Sequence, residues 1–474
     1  MEQLSGLDAG FLSMESPRTY GHVTSVALFD PSGPHAHLSS ESVRAVIEDR
    51  LHLLPMFRRR LVEVPFNIDQ PYWIEDPDFD LDFHLRHIAV PPPGDRAQLG
   101  ELAARIAARH LDRSRPLWEM YLIDGLEDGS ICELTKIHHA CIDGVAGSEI
   151  LSVLLDLEPS PEPTPPPDAQ WEPDQIPSPW TMLGRGAVNL VRRPAAGVKL
   201  LRDTIPALPS LGANLGVRLP MVGPARRDEV LARPTFQAPA TPFNGVISPH
   251  RRFAYGGVEL ERVKRIKNAV GGTVNDVVMA LCAGALRRWL VDHDALPTAP
   301  LVAMVPVSVR VEEHGALGNR ISAMLAALPT NEADPRRRLE LTRAEMAVAK
   351  EEHGAIPASL LQDFLNFTPP SVAGMASRVV TRTRLFERVN IPFNLIISNV
   401  PGPQFPIYHC GAEMQALYPL SPIADGVGLN MTLMSYRGSL DFGLIADRDM
   451  VPDIWALLAA VDAELDELEA ATTA

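Results

Sequence analysis

The sequence predicts a mixed α/β protein made of more than one packed unit, on three observations. Strand-length runs of β-branched and aromatic residues interleave with helical periodicities along the chain. At 474 residues the chain is too long for one ordinary core. The composition also breaks sharply after residue 157. There Pro159-Ser160-Pro161-Glu162-Pro163-Thr164-Pro165-Pro166-Pro167 can form no sheet interior and reads as an extended linker. The expected units are residues 1–157, a linker with a basic segment over 158–235, and residues 236–474.

Each element has a local reason. After a short leader, His22 to Phe29 reads as a strand because it is rich in β-branched and aromatic residues. Ser39-Ser40-Glu41-Ser42 offers caps for a helix running to Leu54, with Val43, Val46, Ile47 and Leu51 on one face. Arg96 to His110 carries the helical stripe Leu99, Leu102, Ile106 and Ala107. Pro116 to Ile123 reads as a strand, and the turn Asp124 to Gly129 returns the chain antiparallel into a strand ending at His138. In the second half, a strand near Phe253-Ala254-Tyr255 precedes a helix from Leu260. The next helix, Val277 to Val291, is apolar almost all round, which implies burial. Leu301 to Val309, Ile321 to Leu328 and Asn394 to Val400 read as strands, and Arg336 to Glu352 as a charged helix. Met431 to Tyr436 and Ser439 to Ala446 have hairpin spacing around Arg437-Gly438. A last helix keeps Ile454, Leu457, Leu458, Val461, Leu465 and Leu468 in register.

The chemistry concentrates at Ile137-His138-His139-Ala140-Cys141-Ile142-Asp143-Gly144, between that second strand and a small-residue helix start over Val145 to Leu151. A histidine at a strand end is held by a rigid element yet faces a cleft, where a general base is useful. Gly144 lets the chain turn where a side chain would obstruct it. Neighbouring strand residues point to opposite faces, so His138 and His139 would not readily chelate one ion, and no metal is expected. Cys141 falls at a spacer position. With no Gly-x-Ser-x-Gly elbow, no serine nucleophile is expected. Cys132, Cys141, Cys282 and Cys410 lack paired spacing and suit free thiols in a reducing compartment.

His138-His139 with Asp143-Gly144 matches HHxxxDG, the signature of the CoA-dependent acyltransferase superfamily, which includes chloramphenicol acetyltransferase and peptide-synthetase condensation domains. Leu4-Ser5-Gly6-Leu7-Asp8-Ala9, Pro116-Leu117-Trp118-Glu119 and Val274-Asn275-Asp276-Val277 point further. So do Pro306-Val307-Ser308-Val309-Arg310, Gly318-Asn319-Arg320, Ser398-Asn399-Val400-Pro401-Gly402-Pro403 and Asp441-Phe442-Gly443. In this order they resemble the bacterial wax ester synthase/diacylglycerol acyltransferase family over nearly the whole chain. The resemblance implies two chloramphenicol-acetyltransferase-like halves, each a mixed sheet with flanking helices, and a substrate tunnel between them. It implies transfer of a long-chain acyl group from acyl-CoA, a co-substrate and not a bound cofactor, to diacylglycerol or a long-chain alcohol. His139 is then the general base and His138 supports its loop. Asp143 is structural and pairs with an arginine, Gly144 makes room, and Asn275 with Asp276 are candidates for substrate or oxyanion contacts. Two other readings stand beside it: a condensation-type enzyme using carrier-protein thioesters, which shares the histidine motif, and a non-enzymatic lipid-binding protein on the same fold, which the intact motif disfavours.

The net charge of −16 argues against a nucleic-acid partner. Met1 to Gly6 lacks the basic region and apolar core of a secretory signal, and no apolar run reaches the roughly 18–20 residues of a membrane span. A cytoplasmic protein, peripheral to a membrane or lipid inclusion, is therefore expected. Over 181–217, Arg185, Arg192, Arg193, Lys199 and Arg202 interleave with Leu183, Leu190, Val191, Val198 and Leu201. This basic amphipathic stretch reads either as a lipid-surface contact or as a linker packed on the body.

Overall fold

In the computed structural model the described residues are 1–142, 147–167, 169–189, 238–308, 321–353 and 392–473. Strands of the first half are β1 (Glu2–Gln3), β2 (His22–Asp30), β3 (Arg59–Val62), β4 (Tyr72–Glu75), β5 (Leu85–Ala89), β6 (Trp118–Asp124) and β7 (Ile131–His138). Those of the second half are β8 (Arg251–Glu259), β9 (Leu301–Ser308), β10 (Ile321–Leu328) and β11 (Leu395–Val400). It continues with β12 (Tyr408–His409), β13 (Ala412–Leu420), β14 (Leu429–Tyr436) and β15 (Ser439–Asp447).

Two six-stranded mixed sheets organise the molecule, in the orders β12-β13-β2-β7-β6-β5 and β10-β9-β11-β14-β15-β8. Their centres repeat one pattern. β2, β7 and β6 pair antiparallel and β5 lies parallel to β6; β8, β15 and β14 pair antiparallel and β11 lies parallel to β14. The expected hairpin closes at Arg437 and Gly438, both at positive φ, the conformation a tight two-residue connection requires. A third sheet, β1-β4-β3, has no counterpart in the sequence reading.

Helices start where caps place them. Thr273 and Asp276 exchange side-chain and backbone hydrogen bonds, and the helix Val274–Asp292 begins there. Its long apolar run is buried against β-sheet and the closing helix Ile454–Thr473 in the second-half core. The helix read from Ser39 to Leu54 ends earlier, at Arg50. The chain continues in 3-10 turns, Leu51–Leu53 and Pro55–Arg58, because Pro55 cannot donate to a continuing helix. The leader is itself a helix, α1 (Gly6–Met14), with the Ser5 side chain accepting from the Asp8 N–H.

The halves are not self-contained but interlocked. β12 and β13 lie late in the chain, yet β13 pairs with β2 in the first sheet. Across β13, Asp441 of β15 accepts from the Leu417 N–H at 3.0 Å, and Tyr436 Oη donates to the Met414 carbonyl at 2.9 Å. A Cβ at Gly443 would stand 1.8 Å from the Pro419 carbonyl oxygen, so a glycine is needed in Asp441-Phe442-Gly443 for β13 to lie this close to β15. His409 of β12 is fully buried and pairs with the buried Glu133 of β7. A joint core of Val26, Leu99, Ala103, Phe253, Tyr255 and Tyr418 draws on both halves.

Candidate active site

The strand β7 runs into a 3-10 turn, His139–Cys141, and the histidine pair sits on that junction. Three backbone anchors fix it. The His138 N–H donates to the Leu117 carbonyl at 3.0 Å, the His139 N–H to the Gly21 carbonyl at 2.9 Å, and the Ile142 N–H to the His139 carbonyl at 3.1 Å. The two rings diverge because His138 ends the strand while His139 opens the turn. The His139 ring stacks on Phe11 of α1, with centroids 4.5 Å apart and planes 10° from parallel. His138 is buried, and its Nδ1 accepts from the Ala140 N–H at 3.0 Å.

Pro116-Leu117-Trp118 acts here as a wedge. Trp118 is fully buried, donates from Nε1 to the Phe57 carbonyl at 2.9 Å, and is stacked between Phe57 and His84. That places the neighbouring Leu117 carbonyl to receive His138.

Electrostatics separates the groups around the turn. Burial pulls the His139 pKa down to about 4, with His138 a smaller cause, so the ring is neutral at physiological pH and free to take a proton. Burial raises the Cys141 thiol to about 12, and the side chain is buried, so it stays protonated and poorly nucleophilic. Glu15, just past the end of α1, was missed by the sequence reading. Burial would raise its pKa, but His110, His138 and the Gly21 N–H together hold its carboxyl well below the usual range. The signal available was the spacing of Phe11 and Glu15, four residues apart and so on one side of α1's end.

Comparison with known proteins now adds to this geometry. The model of the wax ester synthase/diacylglycerol acyltransferase catalytic domain matches residues 4–278, and that of the family's C-terminal domain matches residues 317–469. The chain belongs to the wax ester synthase/diacylglycerol acyltransferase family. A Mycobacterium tuberculosis relative, provisionally named a diacylglycerol O-acyltransferase, is 37% identical over 481 residues, covering 99% of this chain and 90% of that one. The O-acyltransferase WSD of Acinetobacter baylyi is 34% identical, covering 99% of this chain and 97% of its own. A solved wax ester synthase/diacylglycerol acyltransferase from Marinobacter aquaeolei VT8 superposes over all of both chains with a TM-score of 0.70 at 29% identity. The protein is thus an acyltransferase with the two-lobed architecture of that family.

Not every residue marked in the sequence falls in this constellation. Asp143 and Gly144 lie outside the described residues, as do Arg192, Arg193, Lys199 and Arg202. The Asp276 carboxylate accepts from the Thr273 N–H at 2.8 Å, closing a helix cap. Asn275 accepts from Asn399 Nδ2 at 3.3 Å, which ties two of the family stretches together, one on each element. Residues 179–189 are helical, and the start of the basic segment packs: Met182 is buried, a Cβ at Gly186 would touch Ile68 and Val64, and Asn189 donates to Asp69 at 2.6 Å. Arg185 is exposed on that helix. Among the described residues no group of three or more His, Cys, Asp or Glu is placed to hold a metal, and no single helix is long and apolar enough to cross a membrane.

Proposed function

We propose that the enzyme moves a long-chain acyl group from acyl-CoA to the hydroxyl of diacylglycerol, and of long-chain alcohols, with His139 as general base. The observation that carries this reading is a neutral, stacked histidine whose backbone is tied to Gly21 at a strand end. A thioester is already activated, so the protein must align it and remove one proton. The acceptor oxygen attacks the thioester carbonyl as its proton passes to the bare nitrogen of His139. Collapse of the tetrahedral intermediate breaks the C–S bond, and the proton leaves with the CoA thiol. An imidazolium is costly in a half-buried, poorly solvated position, which favours that rapid return. The names of the relatives support the acceptor classes. Incubation with labelled palmitoyl-CoA and diacylglycerol, hexadecanol or a short alcohol tests the assignment: ester must form with a long acceptor, and free fatty acid alone would overturn it.

The depressed pKa gives a pH signature. The base works in its neutral form, which persists down to a pH of about 4. The expected kcat/KM is therefore flat over roughly pH 5 to 8. An ordinary histidine would lose half its neutral form at about pH 6.5. A profile with its midpoint there would contradict the neutral state of the half-buried His139.

Such acceptors dissolve in lipid, so the enzyme also needs a surface that holds them, on a membrane or inclusion. Arg185 with the basic residues that follow is the candidate contact. Binding to anionic liposomes is expected to weaken as salt rises, since each basic residue contributes about 1 kcal/mol near such a surface and salt screens it. Glutamine at Arg185, Arg192, Arg193 and Lys199 together should reduce that binding; unchanged binding would leave the segment a linker.

A further inference from the structure

Helix α1 holds both histidines at once. Phe11 stacks on His139, and Glu15, four residues on, faces His138. The Glu15 carboxylate is enclosed by donors. Oε1 accepts from the Gly21 N–H at 3.0 Å; His138 Nε2 at 3.3 Å and His110 Nδ1 at 3.7 Å are within ion-pair range, the His138 contact being one of charge and not an aligned hydrogen bond. Oε2 accepts from Arg113 Nη2 at 2.7 Å. Arg113 also donates to the Leu12 carbonyl at 2.6 Å, pinning the last turn of α1. The fit leaves no room for more: a Cβ at Gly21 would stand 2.5 Å from His138 Nε2 and 3.1 Å from the Phe11 carbonyl oxygen.

The chemistry follows from the hydrogen-bond roles. A neutral imidazole has one N–H and one bare nitrogen. Because His138 Nδ1 accepts from the Ala140 N–H, its proton is on Nε2, the nitrogen that faces Glu15. The Ala140 N–H opens the turn that carries His139. The same carboxylate holds the Gly21 N–H, and the carbonyl of Gly21 receives the His139 N–H.

Resting on His139 as the base, we infer that Glu15 is a positioning residue for acyl transfer: its carboxylate holds His138 in the Nε2–H form, and thereby sets the turn that aims His139. Glu15 itself caps the end of α1, and its partners include Gly21, just before β2, and His138, at the end of β7, so one charge links three elements around the base. Nothing in the sequence spacing of Glu15 and His138 reveals this. Loss of the charge frees His138 to carry its proton on Nδ1, which turns the acceptor of the Ala140 N–H into a second donor.

Glu15→Gln is the discriminating variant, because the glutamine carbonyl still accepts from the Gly21 N–H while the charge is gone. With palmitoyl-CoA and a fixed acceptor, kcat is expected to fall about tenfold or more, with KM for palmitoyl-CoA within about twofold. In a His138→Ala background the same substitution should cost almost nothing further, since the two act as one unit. Equal losses in both backgrounds, or an unchanged kcat, would overturn the inference. Long-range 1H–15N correlation on histidine-labelled wild-type protein gives a reading that needs no variant to fold: His138 must be the Nε2–H tautomer, and Nδ1–H would overturn the proposal. An active His139→Ala enzyme would instead sink the base assignment itself, whereas inactive His139→Ala beside fully active Glu15→Gln would sink only the role of Glu15.

Discussion

His139→Ala should lower ester formation roughly 10²–10⁴-fold, the usual contribution of a positioned general base. The fold should survive. The anchor to the Gly21 carbonyl is made by the main chain of residue 139 and does not depend on the ring. The ring loses only its stacking on Phe11 at the end of α1. Initial rates with palmitoyl-CoA, set beside the melting temperature, decide the matter. Retention of more than a tenth of the wild-type rate would remove His139 from the chemistry. His138→Ala should behave in the opposite way, with a smaller loss of rate and a lower melting temperature, because that ring is buried and accepts from the Ala140 N–H. A greater rate loss at His138 than at His139 would reverse the roles of the pair.

The second large effect is expected far from the turn. His409→Ala leaves the Glu133 carboxylate buried in β7 without its partner, and breaking a buried pair from one side costs roughly 3–5 kcal/mol. The strand that loses its clamp carries the histidine motif at its far end, and the clamp itself is supplied by β12. Burial by itself would lower the His409 pKa, but the Glu133 carboxylate beside it outweighs burial and holds it up at about 10. A raised histidine pKa stabilises the fold while the ring is charged. That contribution is complete below the unfolded value of about 6.5 and is lost as pH rises through about 10. The gap in melting temperature between wild type and His409→Ala should therefore be widest near pH 6 and narrow toward pH 10. A gap that stays constant with pH would mean that packing, and not the charge pair, accounts for the loss.

Much of the fold was legible in the residues because it is locally encoded. The β6–β7 and β14–β15 hairpins follow from strand-length runs and turn residues. The Val274–Asp292 helix follows from a Thr-x-x-Asp cap and an apolar run. The placing of His139 at a strand end was equally local, since the strand, the turn and the motif are contiguous. Other parts were not legible for a physical reason. α1 is short, and its value to the site comes from Phe11 and Glu15 meeting residues more than a hundred positions away. The β13 strand alternates like any other and says nothing about which sheet it joins.

By itself the sequence determined the histidine motif, the family resemblance, the mixed α/β class and the segments whose periodicity marks an apolar face. Periodicity states that a face must be covered; it does not state by what. Only the tertiary structure decided that β13 crosses to pair with β2, that Gly443 admits the Pro419 carbonyl, and that His409 neutralises Glu133. It also decided that His138 faces a carboxylate from the first helix while His139 stacks on that helix's phenylalanine. Those pairings arise when distant segments share one dry interior, where an unpaired charge or polar group is too costly to leave alone.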